Sequence, residues 1–284
     1  MSPSIAARGG LPALAALLLA CHGSRDAPST PPPAGCTPSG WPTVANTGIP
    51  AGTPTLQALS EASIHTAHDG QVFDAVDLQG RLYVDHRDVV IRRSRLQGDI
   101  YYAVYATEGG AGLTIEDSDI VGGVLIPDGF TGRRNHLHAA KGGYRDDGWI
   151  FAASHVLLED NLIDGLVGDG GAHLDGIQVM AGDDIVIRHN WIEAISPPIE
   201  GGGVNAAVFF KPDFGTISNI VVDCNMLIEE DGYYPLRIDA RGMVAVRHNR
   251  WRRGHLGSPV HTENTAITDW EDNAYEDGEV IPAP

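Results

Sequence analysis

Ile185-Val186-Ile187-Arg188-His189-Asn190-Trp191-Ile192 is one copy of a phrase that recurs along this chain. Each copy has alternating apolar residues, two polar residues, a Ser or Asn, one further residue and an apolar one. The other clear copies are residues 89–96 around Ser94, 113–120 around Ser118, 156–163 around Asn161, 220–227 around Asn225 and 244–251 around Asn249. Weaker copies centre on Asn135 and Asn273. The spacing runs from 17 residues, Ser118 to Asn135, up to 35, Asn190 to Asn225. A strand-like unit repeated at that period is the signature of stacked β-coils. Within the phrase, Ile185 and Ile187 point inward and Arg188 points out, because successive strand residues face opposite sides. Stacking the coils about 4.8 Å apart turns equivalent residues into columns. The apolar column becomes a continuous core. The Ser/Asn column falls where the strand bends into the next face, and stacked Asn side chains there can bond along the column and satisfy turn backbone groups.

A second strand follows each phrase after a loop of variable length. Its best copies are 148–151, 176–179, 207–210, 235–238 and 259–262, with Trp149, Ile177, Val208, Leu236 and Val260 as the inward column. The longest loops, such as 196–204 with its Pro-Pro and Gly-Gly-Gly, lie mid-stack, where a binding cleft is usually built. A β-sandwich or propeller fits less well. The strong copies lack hairpin turn pairs between them, and the period is too short for a four-stranded blade. The expected fold is a single-domain, all-β, right-handed parallel β-helix of about eight coils, over residues 81–284, with a cap and first coil at 41–80. The 35 Gly and 18 Pro suit a turn-rich protein. The net charge of -18 argues against nucleic acid as a partner. It also disfavours a polyanion unless local cations offset it.

The first twenty residues read as a signal segment. Arg8 precedes an apolar run, 11–20, that is too short to span a membrane. Leu18-Leu19-Ala20-Cys21 resembles the lipobox of bacterial lipoproteins, which implies cleavage before Cys21 and lipidation on it. The expected location is the cell envelope, at the outer membrane in a Gram-negative host, or outside the cell. Membrane contact is then through the lipid anchor alone. An ordinary secretory signal with a chance Cys is the alternative. Residues 21–40, rich in Pro and Ser, form a tether. Cys36 precedes the first coil and Cys224 lies about five coils along the stack. They can meet only if residues 37–80 run back along the outside, so Cys224 is expected as a free or partly buried thiol.

Only two lysines, Lys141 and Lys211, occur among the 19 basic residues, the rest being Arg. Aligning the coils places Met180, Lys211, Asp239 and Glu263 in one outward column. Ile150, Gln178, Phe209, Arg237 and His261 form the neighbouring one. The loop before Ile177 adds His173 and Asp175, and Tyr233 and Tyr234 precede Arg237. This set supplies parts for β-elimination from a uronic acid. That reaction needs a base for the proton beside the carboxylate, and donors that stabilise the developing aci-carboxylate. Lys211 is the candidate base and Arg237 the bidentate carboxylate clamp. Tyr233, Tyr234 or His173 is the acid and Phe209 a platform for a sugar ring. Gln178, Asp239, His261 and Lys141 are candidate substrate contacts. Plainer readings are a Lys211–Asp239 surface ion pair and a turn cap made by His173 and Asp175, with Asp175 bonding its own backbone. His189 and His248 are expected on turns without a chemical role. Asp146, Asp147 and Asp175 are a possible Ca²⁺ site, although the spacing is not that of an EF-hand.

The Ser/Asn ladder, His173-Leu174-Asp175-Gly176-Ile177-Gln178 and Asn205-Ala206-Ala207-Val208-Phe209-Phe210-Lys211 together resemble bacterial secreted right-handed parallel β-helix proteins of the pectate-lyase-like superfamily. The lead-in Thr47-Gly48-Ile49-Pro50-Ala51-Gly52-Thr53 is similar to the stretch before the first coil in such proteins. The resemblance covers roughly residues 41–275 and implies fold more than activity. It marks Lys211 as a lyase-type base and Arg237 as its partner. The aspartate cluster of calcium-dependent pectate lyases and the paired aspartates of polygalacturonases are both missing. The expectation is therefore a monomeric, exported, carbohydrate-active protein acting as a lyase on an acidic polysaccharide. The alternatives are a non-catalytic surface protein that binds cell-wall glycan and a structural or adhesive stalk.

Overall fold

The computed structural model describes residues 36, 40–138, 147–166, 173–195, 203–230, 234–253 and 259–284, with only the backbone at 99, 100, 173, 203–205 and 230. Twenty-three strands and no helix occupy the described residues. The strands pair in parallel with their equivalents one coil away. The ladder begins with Gln57–His65 against Val76–Val84. The right-handed β-helix expected from the repeat is the fold observed.

Each coil has three faces rather than the two strands read from the sequence. The phrase strands, such as Val156–Glu159, make the first sheet. The residues just after the Ser/Asn, such as Trp191–Ile195, stack on their equivalents as a second face, the second sheet, which the long strands Arg95–Ala106 and Asp119–Ile126 join to the third. The third sheet holds the expected second strands, and its inward column is in the expected register. Trp149, Ile177, Val208, Leu236 and Val260 stack in that order, and Leu82, Val104 and Val124 extend the column below them. The core is one continuous cluster along the stack axis. Side-chain volume is traded across it. Gly132 sits in the first-sheet column between Ile115 and Leu158. A Cβ there would come within 2.9 Å of the Phe130 ring, which fills the space beside Trp149.

The corner between the first and second sheets carries the polar column. Ser94, Ser118, Asn135, Asn161, Asn190, Asn225, Asn249 and Asn273 are fully buried. Asn190 shows how each Asn is satisfied. Its Oδ1 accepts from Asn161 N and Nδ2, both at 2.9 Å. Its own N and Nδ2 donate to Asn225 Oδ1, both at 3.0 Å, and Nδ2 also donates to Leu158 O. The residue before each column member has positive φ, from Asp272 at 43° to Asp160 at 58°. Side-chain bonding at the corner holds these non-glycine residues in a conformation they otherwise avoid.

Cys36 and Cys224 form a disulfide, which corrects the expectation of a free Cys224 thiol. The geometric condition for pairing is met by a strap that runs back along the outside of the second sheet. Trp41 is buried with Met226 and Ile228 and stacks on His189 at 5.8 Å. Further down, Gly48 N–H donates to Arg134 O at 2.8 Å. Its φ of 71° and its closeness to Asp119, whose Oδ1 would lie 2.3 Å from an added Cβ, leave room only for glycine. Gln57 N–H then donates to Ala75 O and the first coil starts. At the other end, residues 276–284 fold over the last coil. An antiparallel bridge joins Ala274 to Val280, and Trp270 Nε1 donates to Ile281 O. The apolar end of the stack is thereby closed.

Candidate functional site

Period-two alternation fixes which residues of the third sheet face outward, and coil register fixes their neighbours. The outward column is His65, Tyr83, Tyr105, Leu125, Ile150, Gln178, Phe209, Arg237 and His261. From Ile150 onward this is the column expected from the sequence. Its lower third was not anticipated. His65 stacks on Tyr83 at 4.7 Å, Tyr83 lies against Tyr105, and the Arg81 guanidinium stands over Tyr83 and Tyr102. The alternation Arg81-Leu82-Tyr83-Val84 carried the signal, but the irregular step from Gln97 to Tyr102 hides it in the next coil.

Near the upper end, Phe209, Lys211, Arg237, Asp239, His261 and Glu263 line one hollow of about 30 Å³. Arg237 stands over Phe209, with its Cζ 4.4 Å from the ring centroid, and its Nη2 is 3.7 Å from Glu263 Oε1. Its Nε is buried and has no hydrogen-bond partner among the described residues. His261 Nε2 is 3.2 Å from Glu263 Oε1, and the Tyr234 ring stacks on His261 at 4.9 Å. Gln178 pairs in register with Phe209 one coil below but does not line the hollow.

The Lys211–Asp239 ion pair of the plainer reading does not form. Lys211 Nζ pairs with Asp213 at 3.3 Å, because the turn after the strand brings Asp213 N–H onto Lys211 O. Asp239 instead faces Arg241 at 3.8 Å and accepts from Asn264 Nδ2 at 3.3 Å. His189 and His248 sit on the corner turns as expected, with their Nδ1 atoms on Asp160 and Asp223.

Asp147 and Asp175 correct the sequence reading. Both are buried, and Asp175 lies within the strand His173–Arg188 rather than in a loop. Asp147 Oδ1 accepts from Asp175 N at 2.7 Å, and Asp175 Oδ1 accepts from Ala206 N at 2.8 Å. The carboxylates therefore tie coil to coil; Asp175 caps the next coil rather than its own backbone. The last bond also fixes the irregular step between Leu174/Val204 and Asp175/Ala206, which sets Phe209 opposite Gln178. Among the described residues no group of three or more His, Cys, Asp or Glu is placed to hold a metal ion. Cys21, Lys141, Asp146 and Tyr233 lie outside the described residues, as does the side chain of His173.

No curated protein and no solved structure matches the chain. Residues 81–249, from the third-sheet strand that begins the aromatic column to a buried corner Asn, match the family model described as a right handed beta helix region. That span is more than half of the sequence and contains most of the three-sheet stack, and the chain belongs to the right-handed β-helix family.

Proposed function

We propose that this is an exported carbohydrate-active protein whose third sheet binds an acidic polysaccharide and cleaves it by β-elimination, as in the pectate-lyase-like superfamily it resembles. The observation that carries the reading is the guanidinium of Arg237 standing over the Phe209 ring in the same hollow as Lys211. An apolar ring face beside a planar, charged donor suits a sugar that carries a carboxylate. Arg237 binds the substrate carboxylate in place of Glu263. Lys211, released from Asp213, removes the proton on the carbon bearing that carboxylate. The electron pair forms the new carbon–carbon double bond as the adjacent bond to the leaving sugar oxygen breaks. Tyr234 gives that oxygen its proton. The Cys36–Cys224 disulfide supports an oxidising, exported location, and the lipobox-like Cys21 supports a lipid anchor at the cell envelope.

The test is the ultraviolet absorbance of the unsaturated product on a panel of uronate polysaccharides, with and without Ca²⁺. A rise lost in Lys211→Ala and in Arg237→Ala is the expected result; no rise on any uronate defeats the lyase. One observation favours a second reading, a glycan-binding protein without catalysis. Lys211 and Arg237 are both already paired with carboxylates. Retention on a polysaccharide column without turnover would select it.

A further inference from the structure

Beside the Lys211 hollow, a second and larger depression of about 410 Å³ runs along the corner where the third sheet meets the first. Its floor is apolar, made by Leu125, Ala152 and Met180 from successive coils, and its wall is Phe214. Phe214 is 73 % exposed, the most exposed large hydrophobic residue among those described. It is nevertheless held in place. Its N–H donates to Met180 O at 3.1 Å, on a turn closed by Asp213 N–H to Lys211 O at 2.8 Å. An aromatic ring left in water on a fixed turn is a pre-organised contact surface. Among the described residues lining this groove, the ionisable ones are Glu108 and Asp128, both exposed, and none is a lysine, arginine or histidine.

Met180 of the groove and Lys211 of the hollow lie on adjacent coils, since Lys211 N–H donates to Val179 O one coil below. Together they reach from the coil of Ala106 to that of Glu263, six steps of about 4.8 Å or roughly 29 Å in all. The two parts differ in their cations. The hollow sets Arg237 and Lys211 among the carboxylates of Asp239 and Glu263, while the ionisable residues of the groove are the carboxylates Glu108 and Asp128 alone. An all-uronate chain would carry its negative charges into the carboxylate end.

We propose that the groove binds neutral sugar units, with Phe214 as the stacking platform, so that the polysaccharide recognised is a heteropolymer in which uronates alternate with neutral sugars. This rests on the polysaccharide reading above and names its substrate class. Calorimetric titration of the intact protein tests it with gellan fragments, whose uronates are separated by neutral sugars, and with oligogalacturonate of equal length. Gellan fragments are expected to bind more tightly. Phe214→Ala should weaken them about tenfold and leave oligogalacturonate unchanged, while Arg237→Ala should weaken both. If Arg237→Ala changes nothing but Phe214→Ala weakens the gellan fragments, the uronate hollow is wrong and the neutral groove stands. Gellan affinity indifferent to Phe214, equal loss on both ligands, or failure of both to bind overturns the inference. So does a self-association in sedimentation that disappears in Phe214→Ala, because Phe214 would then be covered by a second copy of the chain.

Discussion

Two corners of the same coil solve the problem of joining one turn to the next in different ways. Between the first and second sheets, eight buried Ser and Asn side chains form an unbroken column. An amide both donates and accepts, so each Asn serves the coil below and the coil above, and the ladder can repeat without limit. At the corner leading into the third sheet, Asp147 and Asp175 do related work with carboxylates, and the polarity is reversed. Here the upper coil's N–H donates to the lower coil's side chain, whereas Asn161 N–H donates upward to Asn190. An ionised carboxylate only accepts, so it ties down main-chain N–H groups without making a side-chain chain of its own. The first corner is a uniform spine. The second is a local device set where the coil lengths vary and where the functional face begins.

The largest expected effect tests how the strap reinforces the spine. Cys224 is the positive-φ residue immediately before Asn225, so the disulfide fastens the strap to that corner. The bridge spans 188 residues, and Cys224→Ser should cost roughly 5 kcal/mol in the chain-entropy account, read by chemical denaturation. Next, Asn190→Ala strips the acceptor from Asn161 N–H and the donor from Leu158 O, both buried. A loss of about 3 kcal/mol is expected, and a loss well under about 1 kcal/mol would mean that the spine is not the principal joint. Asp175→Ala should cost at least about 1–2 kcal/mol, the cost of the orphaned N–H at Ala206. It should also weaken uronate binding through the register of Phe209, whereas Asn190→Ala should leave binding of the surviving folded protein intact. Equal effects on binding would erase the distinction between the two corners.

The smallest effect lies on the outside of the spine. Hydrogen bonds from Arg93 first, and then Arg92, hold the Asp74 carboxyl below its ordinary range. A depressed carboxylate stabilises the fold above its unfolded value of ~3.9, and the contribution disappears as pH falls through the lower folded value. Asp74→Asn should therefore lower the melting temperature by about 1 °C at neutral pH. The difference from the parent protein should close in strong acid.

The spine was legible because one residue type recurs at one offset from one apolar pattern, and that repetition fixed the fold and the third-sheet register around Phe209 and Arg237. The carboxylate corner carried a shorter version of the same signal, Asp147-Gly148-Trp149 and Asp175-Gly176-Ile177. Two copies were read as possible metal ligands because side-chain direction cannot be deduced where loops of unequal length meet the strand. The strap has no period at all. Its docking depends on Trp41 finding Met226 and Ile228, apolar residues on the outer face of a strand that a simple alternation rule assigns to solvent. The Lys211–Asp213 pair escaped the column argument because it belongs to a turn after the strand, where column geometry no longer applies.

The strap also orders events in time. Cys36 and Trp41 are made before any coil, yet the surface that receives them includes Met226 and Ile228, made nearly last. The strap has no complete seat until the stack has grown past Ile228, and Cys36 has no native partner until Cys224 arrives. Disulfide formation therefore reports that the stack has been built to its upper coils, and a chain that stalls before them displays an unpaired thiol at its beginning.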